Sequence, residues 1–242
     1  MSTLQLMTVN FKRKISSDAF TPTKQSKKAL SLAKSEPQKV CDILGPILTD
    51  ARRDVIERAI SHRTKTLQVA VEGVHDPHNT AAIIRSADAF GIQHIHIIEG
   101  ATKFKSSAAV TQGSHKWIDL HVYPDTDTFV ATMRQQQIRI LVAAMDGAIS
   151  VSDVNTTTPL VLVFGNEAEG ISDRLRLAAD GAFQIPMFGF VESFNVSVAA
   201  GIAISTLRRK GGGDLTPSEK SILKARYYLR SVRAGYDIVK RS

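Results

Sequence analysis

Across residues 67–209, short continuous runs of β-branched and aliphatic residues alternate with stretches of helical length, and this alternation constrains the chain more than any other feature. PLVLVFG (159–165) has no polar face, so both of its sides must be buried, and LQVAVEG (67–73) reads as a strand of the same buried type. Parallel strands covered by crossover helices meet that demand. The pattern predicts strands over 67–73, 92–98, 118–122, 138–145, 159–165 and 183–185. Helices are predicted over 79–90, 125–136, 172–179 and 195–209. The expected class is α/β, a mainly parallel sheet with helices on both faces.

Other signals extend this frame at both ends. Thr49 can cap a helix, TDARRDVIERAISHR, that places Val55, Ile56, Ala59 and Ile60 on one face and Arg52, Arg53, Arg58 and Arg63 outward. Near the C-terminus the glycines of KGGGD (210–214) stop one helix, and Thr216 caps another, PSEKSILKARYYLRSVRAG. Three units follow: a basic flexible extension (1–44) with no core of its own, a main domain (45–210), and a basic C-terminal helix (211–242). Residues 1–44 hold 8 Lys/Arg against 3 Asp/Glu, residues 207–242 hold 10 against 3, and those between hold 13 against 17. Basic ends around a mildly acidic body suit a chain that grips a polyanion with its ends. Aromatic content of 6% argues against a base-stacking sheet platform. No apolar run reaches the roughly 18 residues of a membrane span, and MSTLQLMTVNFKRK lacks a signal-peptide core, so a cytoplasmic protein is expected. Cys41 is the only cysteine and has no matching histidine motif.

Candidate sites lie in the loops. FGNEAEGIS (164–172) follows a strand and opens a helix, where α/β sheets place ligands. Its spacing approaches a phosphate loop, but Ile171 stands where a lysine is needed and Glu167 and Glu169 would repel a triphosphate. It is either a loop for a ligand with a cation or hydroxyls, or a plain turn. HDPHNTAAIIRSADAFG (75–91) puts Asn79 at a helix start and Arg85 mid-helix, on different faces. His75 with His78, and His94 with His96, lack a further ligand set at zinc spacing, so no metal is expected. IPMFGFVESFNVSVAAG (185–201) reads as a strand exit, a loop and an Asn195 cap, then a helix with a small face at Val198, Ala199, Gly201 and Ile202.

Taken in order, NTAAIIRSADAFG, VLVFGNEAEGIS and IPMFGFVESFNVSVAAGIA resemble the three motifs of the SPOUT methyltransferases, in the SpoU/TrmH branch of RNA ribose 2′-O-methyltransferases, and QGSHKW (112–117) adds to the likeness. It covers about residues 50–210. HDPHN, GSHKW and IPM…SFNVSVA read like the subfamily acting on guanosine-18 of tRNA, whereas GNEAEG is the commoner family form, which leaves the nucleotide open. The resemblance implies a trefoil knot in the C-terminal half, a homodimer, and S-adenosylmethionine held by Met145, Gly165, Glu167, Gly170, Ile185, Met187, Ser193 and Asn195. It implies catalysis by Arg85 with Asn79, Glu167, Ser193 and Asn195. Guanidinium groups are poor proton acceptors at neutral pH, so Arg85 is expected to bind an RNA phosphate and stabilise a developing alkoxide. Arg52, Arg53, Arg58, Lys116, Lys224 and Arg230 are expected to hold the RNA backbone, of tRNA or else rRNA; a catalytically silent RNA-binding module is the remaining alternative.

Overall fold

A computed structural model describes residues 24–74, 76–99, 116–166, 169–208 and 212–242. Two short helices come first, α1 (Lys24–Ser35) and α2 (Pro37–Leu44), then α3 (Asp50–Ser61). The α/β body comprises β1 (Leu67–Glu72), α4 (Pro77–Ala89), β2 (His94–Ile98), β3 (Asp119–Tyr123), α5 (Thr126–Gln135), β4 (Arg139–Ala143), β5 (Ile149–Ser150), β6 (Leu160–Phe164), α6 (Asp173–Ala178), β7 (Gly181–Gln184) and α7 (Val196–Arg208). Two helices close the chain, α8 (Pro217–Ser231) and α9 (Gly235–Arg241). The strands form one sheet in the order β3-β2-β1-β6-β4-β7-β5, every pairing parallel. The expected class therefore holds.

Every residue of β1 and β6 is buried, which explains their unbroken apolar runs. Their side chains alternate between two cores. On one face Val69, Val71 and Leu162 meet Ile83, Ile84 and Ala87 of α4 and Ala200, Ala203 and Ile204 of α7. On the other, Ala70, Val161 and Val163 meet Phe129 and Met133 of α5 and Leu175 of α6. Thr49, Ser172 and Thr216 each cap their helix as expected, Thr216 in a full capping box with Glu219.

The ends depart from expectation. Residues 24–44 are not a coreless extension: α1 and α2 bury Leu32, Ala33, Val40 and Leu44 against Ile56 and Ile60 of α3 and Tyr227, Tyr228 and Leu229 of α8. Each helix is too short to display a sustained period, and Pro37 resets the phase between them. The final helix breaks where Val232 turns extended and Ala234 adopts a left-handed φ of 56°, and α9 then begins. Arg63 points inward: it is 3% exposed, pairs with Asp88 at 2.5 Å and donates to the Ile92 carbonyl at 3.2 Å. Arg226 of α8, 7% exposed, links the helical end to the sheet by pairing with Asp119 and donating to the Ile118 carbonyl at 2.7 Å. Burial alone would raise the Asp119 carboxyl, but Arg226 and a hydrogen bond from Gln93 bring it below its usual range. No helix of the described residues is long and apolar enough to cross a membrane.

The parallel register also collects histidines that the sequence separates. His94 Nδ1 lies 3.2 Å from His121 Nε2, and His96 contacts Gln68 Oε1 at 2.7 Å and the Tyr123 hydroxyl at 3.1 Å. Burial lowers all three imidazoles below their ordinary value, His96 most. The unfolded chain thus takes up protons first as pH falls. Stability from these groups is complete above about pH 6.5 and declines as pH drops through the folded values. Thermal melts should show the melting temperature falling from pH 7.5 to 5.5, and the His94→Asn/His121→Asn variant, which keeps His96, should lose part of that slope; an unchanged slope would refute the assignment.

Candidate active site

Because β1, β6, β4 and β7 are adjacent and parallel, the loops that leave them emerge along one edge of the sheet. That edge carries Asn79 shortly after β1, Gly165 after β6, Met145 after β4, and Ile185 and Met187 after β7. Binding sites of α/β sheets form on this side. Ile185 packs on the main core, Met187 is half-buried and Met145 is exposed. Among the described residues, no backbone–backbone hydrogen bond involves positions 186–194, so the peptide groups of this loop are available to a ligand.

The loop after β6 folds tightly on itself. Asn166 and Gly170 exchange two backbone hydrogen bonds of 3.1 Å, and the Asn166 side chain accepts from the Glu169 amide at 2.6 Å. Gly170 has φ +70°, and a Cβ on Gly165 would overlap the Gly170 carbonyl. Both glycines are therefore required by the turn rather than by charge. Glu167 lies outside the described residues. Glu72, a buried carboxylate that sequence reasoning did not single out, anchors the far end of this loop. It accepts from the Ser172 amide and hydroxyl at 2.8 Å each and from the Thr126 hydroxyl at 2.7 Å. A lone acid ending a buried, mostly apolar strand was the available signal.

The helices complete the site. Asn79 is not the cap of α4. Asp76 caps it, accepting from the His78 amide at 2.8 Å, with Pro77 in the first turn. Freed from that task, Asn79 accepts through Oδ1 from Asn195 Nδ2 at 3.1 Å. Asn195 in turn begins α7, its Oδ1 accepting from the Ser197 amide at 2.9 Å and hydroxyl at 2.6 Å. The buried residues of α7 are Val196, Ala200, Ala203 and Ile204 rather than the face predicted around Val198 and Ile202. Arg85 stands exposed on α4, and among the described residues it forms no ion pair or hydrogen bond; Ser193 is exposed in the adjoining loop.

The expected RNA-contacting residues divide. Arg58, Lys116 and Arg230 are exposed. Arg53 is committed to structure, donating to the Gly45 and Leu48 carbonyls at 2.8 and 2.7 Å and pairing with Asp50. Lys224 pairs with Glu57, and Arg52 lies 5.0 Å over the Trp117 ring.

A parallel sheet with three loops converging beside two paired helices is the architecture of a group of RNA methyltransferases. Crystal structures of that kind superpose on it: the TrmH/SpoU tRNA modifying enzyme of A. aeolicus, with a TM-score of 0.67, 29% identity and coverage of 76% of this chain and 98% of that one; and an AdoMet-bound rRNA methyltransferase from Sinorhizobium meliloti, with a TM-score of 0.56, 28% identity and coverage of 65% and 59%. The tRNA (guanosine(18)-2′-O)-methyltransferase of Thermus thermophilus is 36% identical over 163 residues, spanning 67% of this chain and 84% of that protein. The chain belongs to the SpoU rRNA methylase family, whose model matches residues 66–205.

The overlap at Gly165 gives a test of the turn. Gly165→Ala should cost about 2 kcal/mol and lower the melting temperature by roughly 4–8 °C, whereas Gly189→Ala, with open space around it, should leave it unchanged. Equal melts for the two variants would show that the turn does not depend on the close approach.

Proposed function

We propose that this chain methylates a ribose 2′-hydroxyl of structured RNA, with guanosine-18 in the D-loop of tRNA as the favoured target. The observation that carries the reading is the Asn79–Asn195 hydrogen bond, which joins the helix bearing Arg85 to the entry of α7. The match of residues 66–205 to a methylase family and the 36% identity to a tRNA guanosine-18 enzyme support it.

S-adenosylmethionine, when bound, would supply an electrophilic methyl on a sulfonium for transfer to the 2′-oxygen. The residues present fit this cofactor: the unpaired peptide groups of 186–194 can meet an adenine edge and ribose hydroxyls, and Met145, Ile185 and Met187 offer apolar contact. Gly165 and Gly170 shape the neighbouring wall, Ser193 serves the reacting end in this reading, and Glu167, outside the described residues, is assigned there by the motif resemblance alone. Arg85 holds the phosphate beside the target ribose and stabilises negative charge on the 2′-oxygen as its proton passes to phosphate or water. Asn79 and Asn195 orient these groups and need no proton of their own. Exposed Arg58, Lys116 and Arg230 carry the RNA backbone, together with Arg52, Arg53 and Lys224 where their structural contacts allow.

A second copy of the chain completes the particle in this reading. Phe188 and Phe190 are 99% and 107% exposed, and Val191 and Val198 are exposed as well, an amount of uncovered apolar surface unusual for a monomer. A dimer covers it, and the C-terminal half forms the trefoil knot that the motif resemblance implies. Light scattering should give a dimer mass, and Phe190→Asp should shift it toward the monomer; a monomeric wild type overturns this part.

Mass-spectrometric mapping of 2′-O-methyl marks on tRNA and rRNA, after incubation with labelled cofactor, should find one mark, at tRNA guanosine-18. A mark confined to rRNA would transfer the assignment to that substrate, and no mark on either would overturn it. Arg85→Lys should lose turnover by about 10²- to 10³-fold while retaining cofactor affinity in calorimetry; normal turnover would remove Arg85 from the chemistry.

A further inference from the structure

At the far end of the α4–α7 pair, on the amino edge of the sheet, the structure holds a cavity of about 610 Å³ between the helical end and the α/β body. We infer that it is a second RNA subsite, taking one unstacked nucleotide with its phosphate, at the opposite end of the helix pair from the Asn79–Asn195 contact. This inference rests on RNA being the substrate.

Charge and shape carry the argument. Arg52, Arg58, Arg63 and Arg208 face the cavity against a single carboxylate, Asp88, which Arg63 already neutralises. Arg208 is fixed by three neutral carbonyls, of Phe90 at 3.0 Å, His62 at 2.8 Å and Gly212 at 3.1 Å. Among the described residues, none of Arg52, Arg58 and Arg208 forms an ion pair. Three positive charges without counterions around one concavity suit a phosphate.

The remaining wall is aromatic. Phe90 is 39% exposed, and Trp117 lies half-buried with Arg52 over its ring and Tyr227 against it edge-on, centroids 5.2 Å apart. Aromatic faces flanked by guanidinium planes are how proteins hold bases that have left a stack. Neither a duplex backbone nor a protein helix requires that pairing of flat apolar surface with uncompensated cations. From Asn79 to Phe90 the helix rises about 16 Å, the axial length of roughly five stacked nucleotides. An RNA bound at both ends is thus read at two separated points.

Trp117 is the only tryptophan in the chain, so its fluorescence reports on this cavity. Titration with a single-stranded ribopentanucleotide and with a tRNA transcript should quench it. Phe90→Ala and Arg58→Ala should each weaken tRNA binding about tenfold, with Phe90→Tyr restoring it. Arg58→Ala should also reduce the slope of log affinity against log salt by about one. Cofactor affinity and melting curves, measured on the same proteins, detect misfolding. Wild-type tRNA affinity in both variants, with Trp117 fluorescence unmoved by RNA, overturns the subsite even if methylation proceeds. Quenching by adenosine monophosphate as tight as by RNA also overturns it, in favour of a small-molecule site. RNA-dependent quenching without methyl transfer would instead leave the subsite standing and refute the proposed activity.

Discussion

The packing of α4 against α7 is the contact on which both working ends of this molecule depend. The helices come from opposite ends of the α/β body in sequence, one after β1 and the other after β7, the last strand. They meet through Ile83, Ile84 and Ala87 on one side and Ala200, Ala203 and Ile204 on the other, all fully buried. Small residues on α7 let the two axes approach, and polar contacts fix the register at each end. Asn195 binds Asn79 where α7 begins, and the Arg208 guanidinium binds the Phe90 carbonyl where it stops. A slip of one residue along this seam would break both.

The strand order explains why so distant a pairing is available. β6 lies between β1 and β4, so the centre of the sheet is completed only after its neighbours have been laid down in sequence. The chain then places β7 beyond β4 and returns across the face to reach α4. Loops that cross in so small a space must pass close to other backbone. Gly147 and Gly165 record this: a side chain at the first would strike the Phe183 backbone, and at the second the Gly170 backbone. The site is therefore assembled from peptide groups as much as from side chains.

What was legible in the sequence follows the strength of local signals. Buried strands declare themselves by composition, and the caps at Thr49, Ser172, Asn195 and Thr216 by residue type, so the α/β body could be read almost element by element. Asn79 was misplaced because asparagine is a good cap, although Asp76 before Pro77 was the better one. The helices α1 and α2 escaped notice because their apolar positions make sense only against α3 and against α8, the latter some 190 residues later. Arg63 looked like its exposed neighbours, since nothing local reveals that Asp88 waits to neutralise it. Residue types at the site were thus visible, while pairings across the fold were not. The family resemblance supplied roles for Arg85 and Ser193 that spacing alone did not.

The division of charge between the two edges has a physical consequence. At physiological ionic strength the field of an exposed charge fades over about 8 Å. Cationic groups at the Phe90 end of α4, some 16 Å from Asn79, therefore contribute little to the potential where the two asparagines lie. In the proposed reading, attraction of a polyanion and stabilisation of one reacting oxygen are separate demands, met by different arginines. In the proposed reading the amino edge can be strongly basic without raising the affinity of the asparagine-bearing end for stray anions, and the exposed guanidinium of Arg85 is left for the phosphate beside the target ribose.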